Sequence, residues 1–213
     1  MTVDPTHAGG LILASASPRR AQLLADSGYQ FEIVQPQLAE PEEYTPQTPP
    51  VQHAEALAHY KARCVANICD RPDPIVLAAD TVVAYQGRLY GKPFDADDAR
   101  AILSSLAGTT HQVITGVTVL RPARKQRLIG HELTRVTMRP MSPEVLDRYI
   151  ASGAWQGKAG AYGIQDRGDA YVERLEGSFT NVVGLPMSLV ARMLDKAGYA
   201  PMPTNHTSQS TTG

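Results

Sequence analysis

The segment IVLAADTVVAY, residues 75–85, constrains this chain more than any other. A near-continuous apolar run of this length reads as a strand buried on both faces, of the parallel type. Asp80 lies inside it. An ionised carboxylate is costly in such a place unless it is paired, hydrogen-bonded or bound to a metal. The alternative is a strand that ends one residue early, with Asp80 capping a turn. Val82 and Val83 continue the apolar run, which favours a carboxylate kept for function.

The rest of the pattern supplies partners for that strand. Leu11–Ala14 is a short apolar run suited to a buried strand, and Ser17, Pro18 and Gly28 give the start and stop signals of a helix. Residues 29–35 alternate like a strand and lead into a Pro- and Glu-rich loop over 36–50. A helix is expected from Val51 to Ile68. Residues 85–93 form a hairpin, Asp95 opens a helix that Gly108 ends, and residues 111–120 and 127–140 alternate as strands joined by a basic turn. Ser142 and Pro143 open a helix to Ser152; residues 170–177 read as a strand and 186–198 as a final helix. Strands alternating with helices, with adjacent strand pairs in the middle, predict a mixed α/β sheet with helices packed on it. The expected organisation is a flexible segment 1–9, one α/β domain of two lobes over 10–198, and a polar, disordered tail over 199–213.

Three further stretches carry polar groups where the pattern does not call for them. LASASPRR (13–20) brings Ser15, Ser17, Arg19 and Arg20 to a helix N-terminus, where the partial positive charge disfavours cations. Backbone N–H groups, hydroxyls and two guanidinium groups together make a phosphate cradle; arginines that simply point into solvent are the alternative. Lys61 completes the apolar stripe Ala54, Leu57, Ala58, Cys64, Val65, Ile68 of its helix. It either snorkels or projects a cation beside Asp80. GKAGAYGIQ (157–165) combines small residues that permit close backbone approach with Lys158 and the amide of Gln165. A surface loop with an incidental lysine is the other reading.

Other classes of chemistry find little support. Net charge is −1 and charged residues are 19% of the chain, so no global field draws it to nucleic acid or anionic membranes. No apolar run reaches the ~18–20 residues of a membrane span, and no secretory leader pattern opens the sequence. A reducing cytoplasm is the expected compartment for Cys64 and Cys69, whose spacing suits neither zinc nor a disulfide framework. The acidic run 95–98 sits where a helix N-terminus favours acids. No nucleophile elbow, Walker A sequence or dinucleotide fingerprint is present. Cations, serines and isolated carboxylates suit a phosphate-containing substrate.

With these residues in hand, the chain resembles the Maf family of nucleoside triphosphate pyrophosphatases. The matching segments are LASASPRR, PQLAE, LAHYKA, AADTVV, GKP, HQVITGV, KAGAYGIQ and ERLEGSFTNVVGLP, in family order over roughly residues 10–196. The resemblance implies a mixed, curved central sheet flanked by helices, of the Maf/inosine triphosphatase type, with a nucleotide-binding cleft. It implies hydrolysis of a nucleoside triphosphate to the monophosphate and pyrophosphate, with Mg²⁺ or Mn²⁺ as cofactor and a homodimer as the assembly. Asp80 falls on the proton acceptor, Ser15, Ser17, Arg20, Lys61, Lys92 and Lys158 on the phosphate-binding set, and Glu40 with Asp80 on the metal site. Arg19, Thr81 and Gln165 are similar to the dTTP/UTP subfamily, whereas the 7-methyl-GTP subfamily has Trp, Gln and Glu at those places. A neutral amide can both donate to and accept from a pyrimidine edge. The expected substrates are therefore dTTP and UTP. Another nucleotide on the same chemistry, and a nucleotide-binding regulator of cell division or septum formation, are the competing readings. Ala39 departs from relatives that carry a second acid beside Glu40, His59 and Tyr60 replace a frequent charged pair, and Asn181 has no assigned role.

Overall fold

The computed structural model describes residues 10–37, 48–164 and 170–201. In chain order the elements are β1 (Leu11–Leu13), α1 (Pro18–Asp26), β2 (Glu32–Ile33), α2 (Pro50–Ile68), β3 (Ile75–Tyr85), β4 (Arg88–Tyr90), α3 (Ala96–Leu106), β5 (Thr110–Arg121), β6 (Gln126–Met138), α4 (Pro143–Ala151), β7 (Val172–Glu176), α5 (Phe179–Val183) and α6 (Met187–Lys196). The seven strands form one sheet in the order β2-β1-β3-β5-β6-β7, with β4 also paired to β3. The expected mixed α/β architecture is what the chain adopts. The expected segment 1–9 lies outside the described residues; of the expected tail 199–213 only residues 199–201 are described, and there Tyr199 is buried, its hydroxyl donating to the Gln30 carbonyl at 2.6 Å.

β3 is the axis of the sheet, but it is not a parallel-type strand. Only β1 runs parallel to it, while β5 and β4 are antiparallel. Its apolarity has a different cause: helices cover both of its faces. Successive side chains alternate across a strand. Val76, Ala78 and Val82 face α2, packing with Ala54, Ala62 and Val65. Leu77 and Ala79 face a core completed by Leu24 of α1 and by Val190, Met193 and Leu194 of α6. Val83 joins a second cluster on that side, with Ala99, Ile102, Leu103 and Leu106 of α3. Asp80 and Thr81 are thereby sent to opposite faces.

Two local expectations need correction, and one further helix is found. The strand over 29–35 shrinks to Glu32–Ile33, because after Gly28 (φ +80°) the chain turns Tyr29 into the core, where its ring stacks on Tyr199. Ile68 leaves the stripe of α2 and is 55% exposed at the helix end, while Lys61 is buried in it. Residues 179–183 form a short helix, α5, capped by the Ser178 hydroxyl, which accepts from the Asn181 N–H at 3.2 Å. The β3–β4 hairpin turns at Gln86–Gly87, both at positive φ (48° and 75°), as a two-residue hairpin loop requires. The acidic run 95–98 is a helix cap: Asp95 accepts from the Asp98 N–H at 2.9 Å, and Asp98 accepts from the Phe94 N–H at 3.0 Å.

Candidate active site

The site originates in a break along one edge of β3. β1 covers that edge as far as Leu77 and β4 covers it again from Val83. Residues 78–82 between them pair with β5 on the other side. β1 ends where its chain turns off into α1, so the sheet opens at Asp80 and Thr81. Ligand crevices in α/β sheets form at such splits between neighbouring strands. A cavity of about 540 Å³ fills this one, within the usual range for a small-molecule site.

Asp80 is 7% exposed and Lys61 8%. The Lys61 Nζ donates to Asp80 Oδ1 at 2.5 Å. The lysine thus answers the cost of the carboxylate, and the apolar stripe of α2 is where it had to come from. Of the two sequence readings, the cation beside Asp80 is the one observed. Gly116 makes the approach possible. It is the β5 partner of Asp80, and a Cβ there would lie 2.3 Å from the Ala54 carbonyl oxygen.

On the other face of β3, Arg20 is held at three points. Its Nε donates to the Gly184 carbonyl at 2.7 Å, Nη2 to Thr81 Oγ1 at 3.0 Å and Nη1 to Ser15 Oγ at 3.4 Å. The Arg20 guanidinium is therefore not a solvent-facing surface group. Ser15 Oγ also accepts from the Ser17 N–H at 3.1 Å. Ser17 occupies the N-cap position of α1, yet its hydroxyl makes no capping bond, and α1 has no acid in its first turn. The N-terminus of α1 thus meets the cavity without an anion of its own. Arg19 lines the same wall. Burial lowers its pKa from the ordinary arginine value, with Tyr149 opposing that shift, and a guanidinium remains charged at neutral pH.

The far wall carries Lys92 and Lys158. Lys158, which lines the cavity, donates from its Nζ to the Ala154 carbonyl. A Cβ at Gly163 would sit 2.8 Å from Lys158 Cδ and 3.1 Å from an Arg19 nitrogen, so a side chain there would displace the ends of these two cations. Tyr60, Gln35, Gln156 and Tyr162 also line the cavity, and sequence reasoning assigned them nothing. Tyr60 could have been found from its place beside Lys61; the others carry no local signal. Tyr162 is fixed from behind by buried His111, whose Nε2 lies 2.6 Å from its hydroxyl.

Ser15, Ser17, Arg19, Arg20, Lys61, Asp80, Thr81, Lys92 and Lys158 all border one cavity. Glu40 and Gln165 lie outside the described residues. Among the described residues Asp80 is the single acid on the cavity wall, and none form a cluster of three metal-ligating side chains. One carboxylate facing a wall of cationic side chains nonetheless fits Mg²⁺, which is usually held by one or two carboxylates together with substrate phosphates.

Residues 10–197 match the family described as Maf-like protein. The chain belongs to the Maf family. Maf relatives share much of its sequence. A protein named dTTP/UTP pyrophosphatase from Pelotomaculum thermopropionicum is 44% identical over 191 residues, covering 89% of this chain and 97% of its own. Proteins of the same name from Deinococcus radiodurans and Moorella thermoacetica are each 45% identical, over 88% and 86% of this chain and 93% of each of theirs. The Ham1 protein of Staphylococcus aureus aligns with a TM-score of 0.48 and 11% identity, covering 88% of this chain and 98% of that one.

Proposed function

We propose that this Maf protein hydrolyses dTTP and UTP to the nucleoside monophosphate and pyrophosphate. The observation that carries the reading is the charge arrangement of the cleft. Asp80, held by Lys61, faces a cavity whose other charged lining groups are Arg19, Arg20, Lys92 and Lys158. Such a wall suits a polyanion, and the isolated carboxylate supplies a base.

In this reading Lys61 fixes Asp80 Oδ1 and leaves Oδ2 to accept a proton from a water. The water oxygen bonds to the α-phosphorus, the bond from that phosphorus to the oxygen bridging to the β-phosphorus breaks, and pyrophosphate leaves with the electron pair. Arg20, Lys92 and Lys158 compensate the negative charge of the triphosphate and of the leaving group. Ser15, Ser17 and the first N–H groups of α1 hold phosphate oxygens. A divalent cation, held by Asp80 and Glu40 with the phosphates, would neutralise phosphate charge when bound. Arg19, Thr81 and Gln165 select the pyrimidine base, a choice supported by the names of the relatives above. A homodimer, by family resemblance, and a cytoplasmic setting, which suits the free thiols Cys64 and Cys69, complete the proposal.

Pyrophosphate release from dTTP, UTP, CTP, 7-methyl-GTP and ITP, with Mg²⁺ or Mn²⁺, tests it. Turnover of dTTP and UTP, lost on Asp80→Asn by at least about 10²-fold, is the expected result. Nucleotide binding without turnover would overturn the catalytic reading.

A further inference from the structure

Thr115 and Asn181 lie beneath the cavity, both fully buried, and neither lines it. They are joined to Arg20 by a chain of hydrogen bonds whose direction the chemistry fixes. A guanidinium only donates, so Arg20 Nη2 donates to Thr81 Oγ1 at 3.0 Å. A main-chain carbonyl only accepts, so Thr115 Oγ1 donates to the Asn181 carbonyl at 3.1 Å. Thr81 Oγ1 and Thr115 Oγ1 are 2.9 Å apart. Each hydroxyl has one hydrogen. Thr115 has spent its hydrogen on Asn181, so the bond between the threonines takes its hydrogen from Thr81.

The far end of the chain is firmly anchored. The Asn181 side-chain amide donates to the Val113 carbonyl and to Thr134 Oγ1, each at 3.0 Å, which uses both of its hydrogens. Thr134 Oγ1 in turn donates to the Ser178 carbonyl and accepts from the Ser178 N–H. The carbonyl that receives Thr115 is therefore set by bonds across β5, β6 and α5, not by the cavity.

We propose that Thr115 is a positioning residue: it fixes the Thr81 hydroxyl as an acceptor and so holds the Arg20 guanidinium at the cavity wall. This rests on the nucleotide reading of the cleft only for its effect on turnover. With its hydrogen committed inward and one lone pair taken by Arg20, Thr81 offers a ligand one lone pair alone. An ionised phosphate oxygen is then met by Arg20, and Thr81 can take only a hydrogen-bond donor, such as an imide N–H or a sugar hydroxyl. Replacing Thr115 by Val releases the Thr81 hydrogen, which can turn towards the cavity and compete with the Arg20 N–H.

The test compares Thr115→Val, Thr115→Ser, Thr81→Val and the Thr81→Val/Thr115→Val double variant in pyrophosphate release from dTTP. Thr115→Val is expected to raise KM about tenfold with kcat held within about twofold, and Thr115→Ser to restore the wild-type value. The double variant should match Thr81→Val alone, because the chain is already broken there. Additive losses, or a Thr115→Val enzyme with wild-type KM, would overturn the proposal. If Thr115→Val does not fold, Thr115→Ala, which only deletes atoms, replaces it. Solvent exchange of the Arg20 Nε–H, followed by NMR without substrate, gives a second reading. It should quicken about fivefold in Thr115→Val and stay unchanged in Thr115→Ser; equal rates in both count against the proposal. A wild-type protein that turns over no nucleotide refutes the functional reading alone, since the exchange rates still decide the role of Thr115.

Discussion

Gly116 carries no chemistry, yet the geometry of the Asp80–Lys61 pair depends on it. A Cβ at this position would lie 2.3 Å from the Ala54 oxygen, 2.4 Å from the Ala54 carbonyl carbon and 2.6 Å from the Glu55 nitrogen. All three are backbone atoms, so no rotamer change relieves the contact. Helix α2 must retreat by about 1 Å to restore ordinary van der Waals spacing. Overpacking of this kind costs about 1–3 kcal/mol, partly offset by the ~0.4–1 kcal/mol that Gly→Ala contributes through the unfolded chain. A net loss of about 1–2 kcal/mol corresponds to a fall in Tm of about 2–8 °C for a chain of this size. The helix that moves is the one that presents Lys61, so kcat should fall by about 10²-fold. Gly130 in the neighbouring strand is the control, because a Cβ there would meet Leu189 Cδ1 at an ordinary 3.6 Å. Calorimetry and pyrophosphate release on Gly116→Ala and Gly130→Ala give the comparison. If the two variants behave alike, with Tm and kcat at wild-type values, α2 does not owe its position to Gly116 and the reasoning fails.

Removing the cation itself is a sharper perturbation. Lys61→Met leaves the Asp80 carboxylate, with only 11% of its side chain exposed, without its partner. About 3 kcal/mol of stability should be lost, measured as a lower urea midpoint at constant slope, and an unchanged midpoint would show that the pair is not desolvated. His111 makes the fold sensitive to acid. Burial depresses its pKa from 6.5 to about 4, and its Nδ1 has no partner among the described residues. The folded protein therefore binds fewer protons than the unfolded chain between those values. The stability from neutral His111 is complete above about pH 6.5 and is lost as pH falls towards about 4. At pH 5 the loss relative to pH 7.5 should be about 2 kcal/mol greater in wild type than in His111→Asn; equal losses in the two would remove His111 as the cause.

Much of the site was legible locally. Asp80 stands out because charge breaks an apolar run, and Lys61 because it interrupts a stripe of helical period. The arginines of α1 stand out because they oppose the helix dipole. Each is a conflict between a residue and its immediate pattern, and such conflicts are visible in one dimension. Thr115 and Asn181 raise no conflict, being ordinary in a strand and a short helix, and Gly116 inside a strand marks a close approach without naming what approaches. Their roles come from what approaches them, namely the backbone of α2 at Gly116 and the Arg20–Thr81 pair at Thr115.

The sequence by itself determined most of the strands and helices, the short β2 and α5 apart, and which polar groups were too costly to leave unpartnered, because period and desolvation act within a few residues. It also misjudged the company of β3, since helices on both faces make an antiparallel strand as apolar as a parallel one. Only the tertiary structure decided that the pairing of β1 along β3 stops at Leu77 and that of β4 starts at Val83, which opens the sheet at Asp80 and Thr81. It alone sent those two side chains to opposite faces, one to Lys61 and the other to Arg20. Strand register and the separation of neighbouring edges are set by contacts between residues far apart in the chain, and no local pattern encodes them.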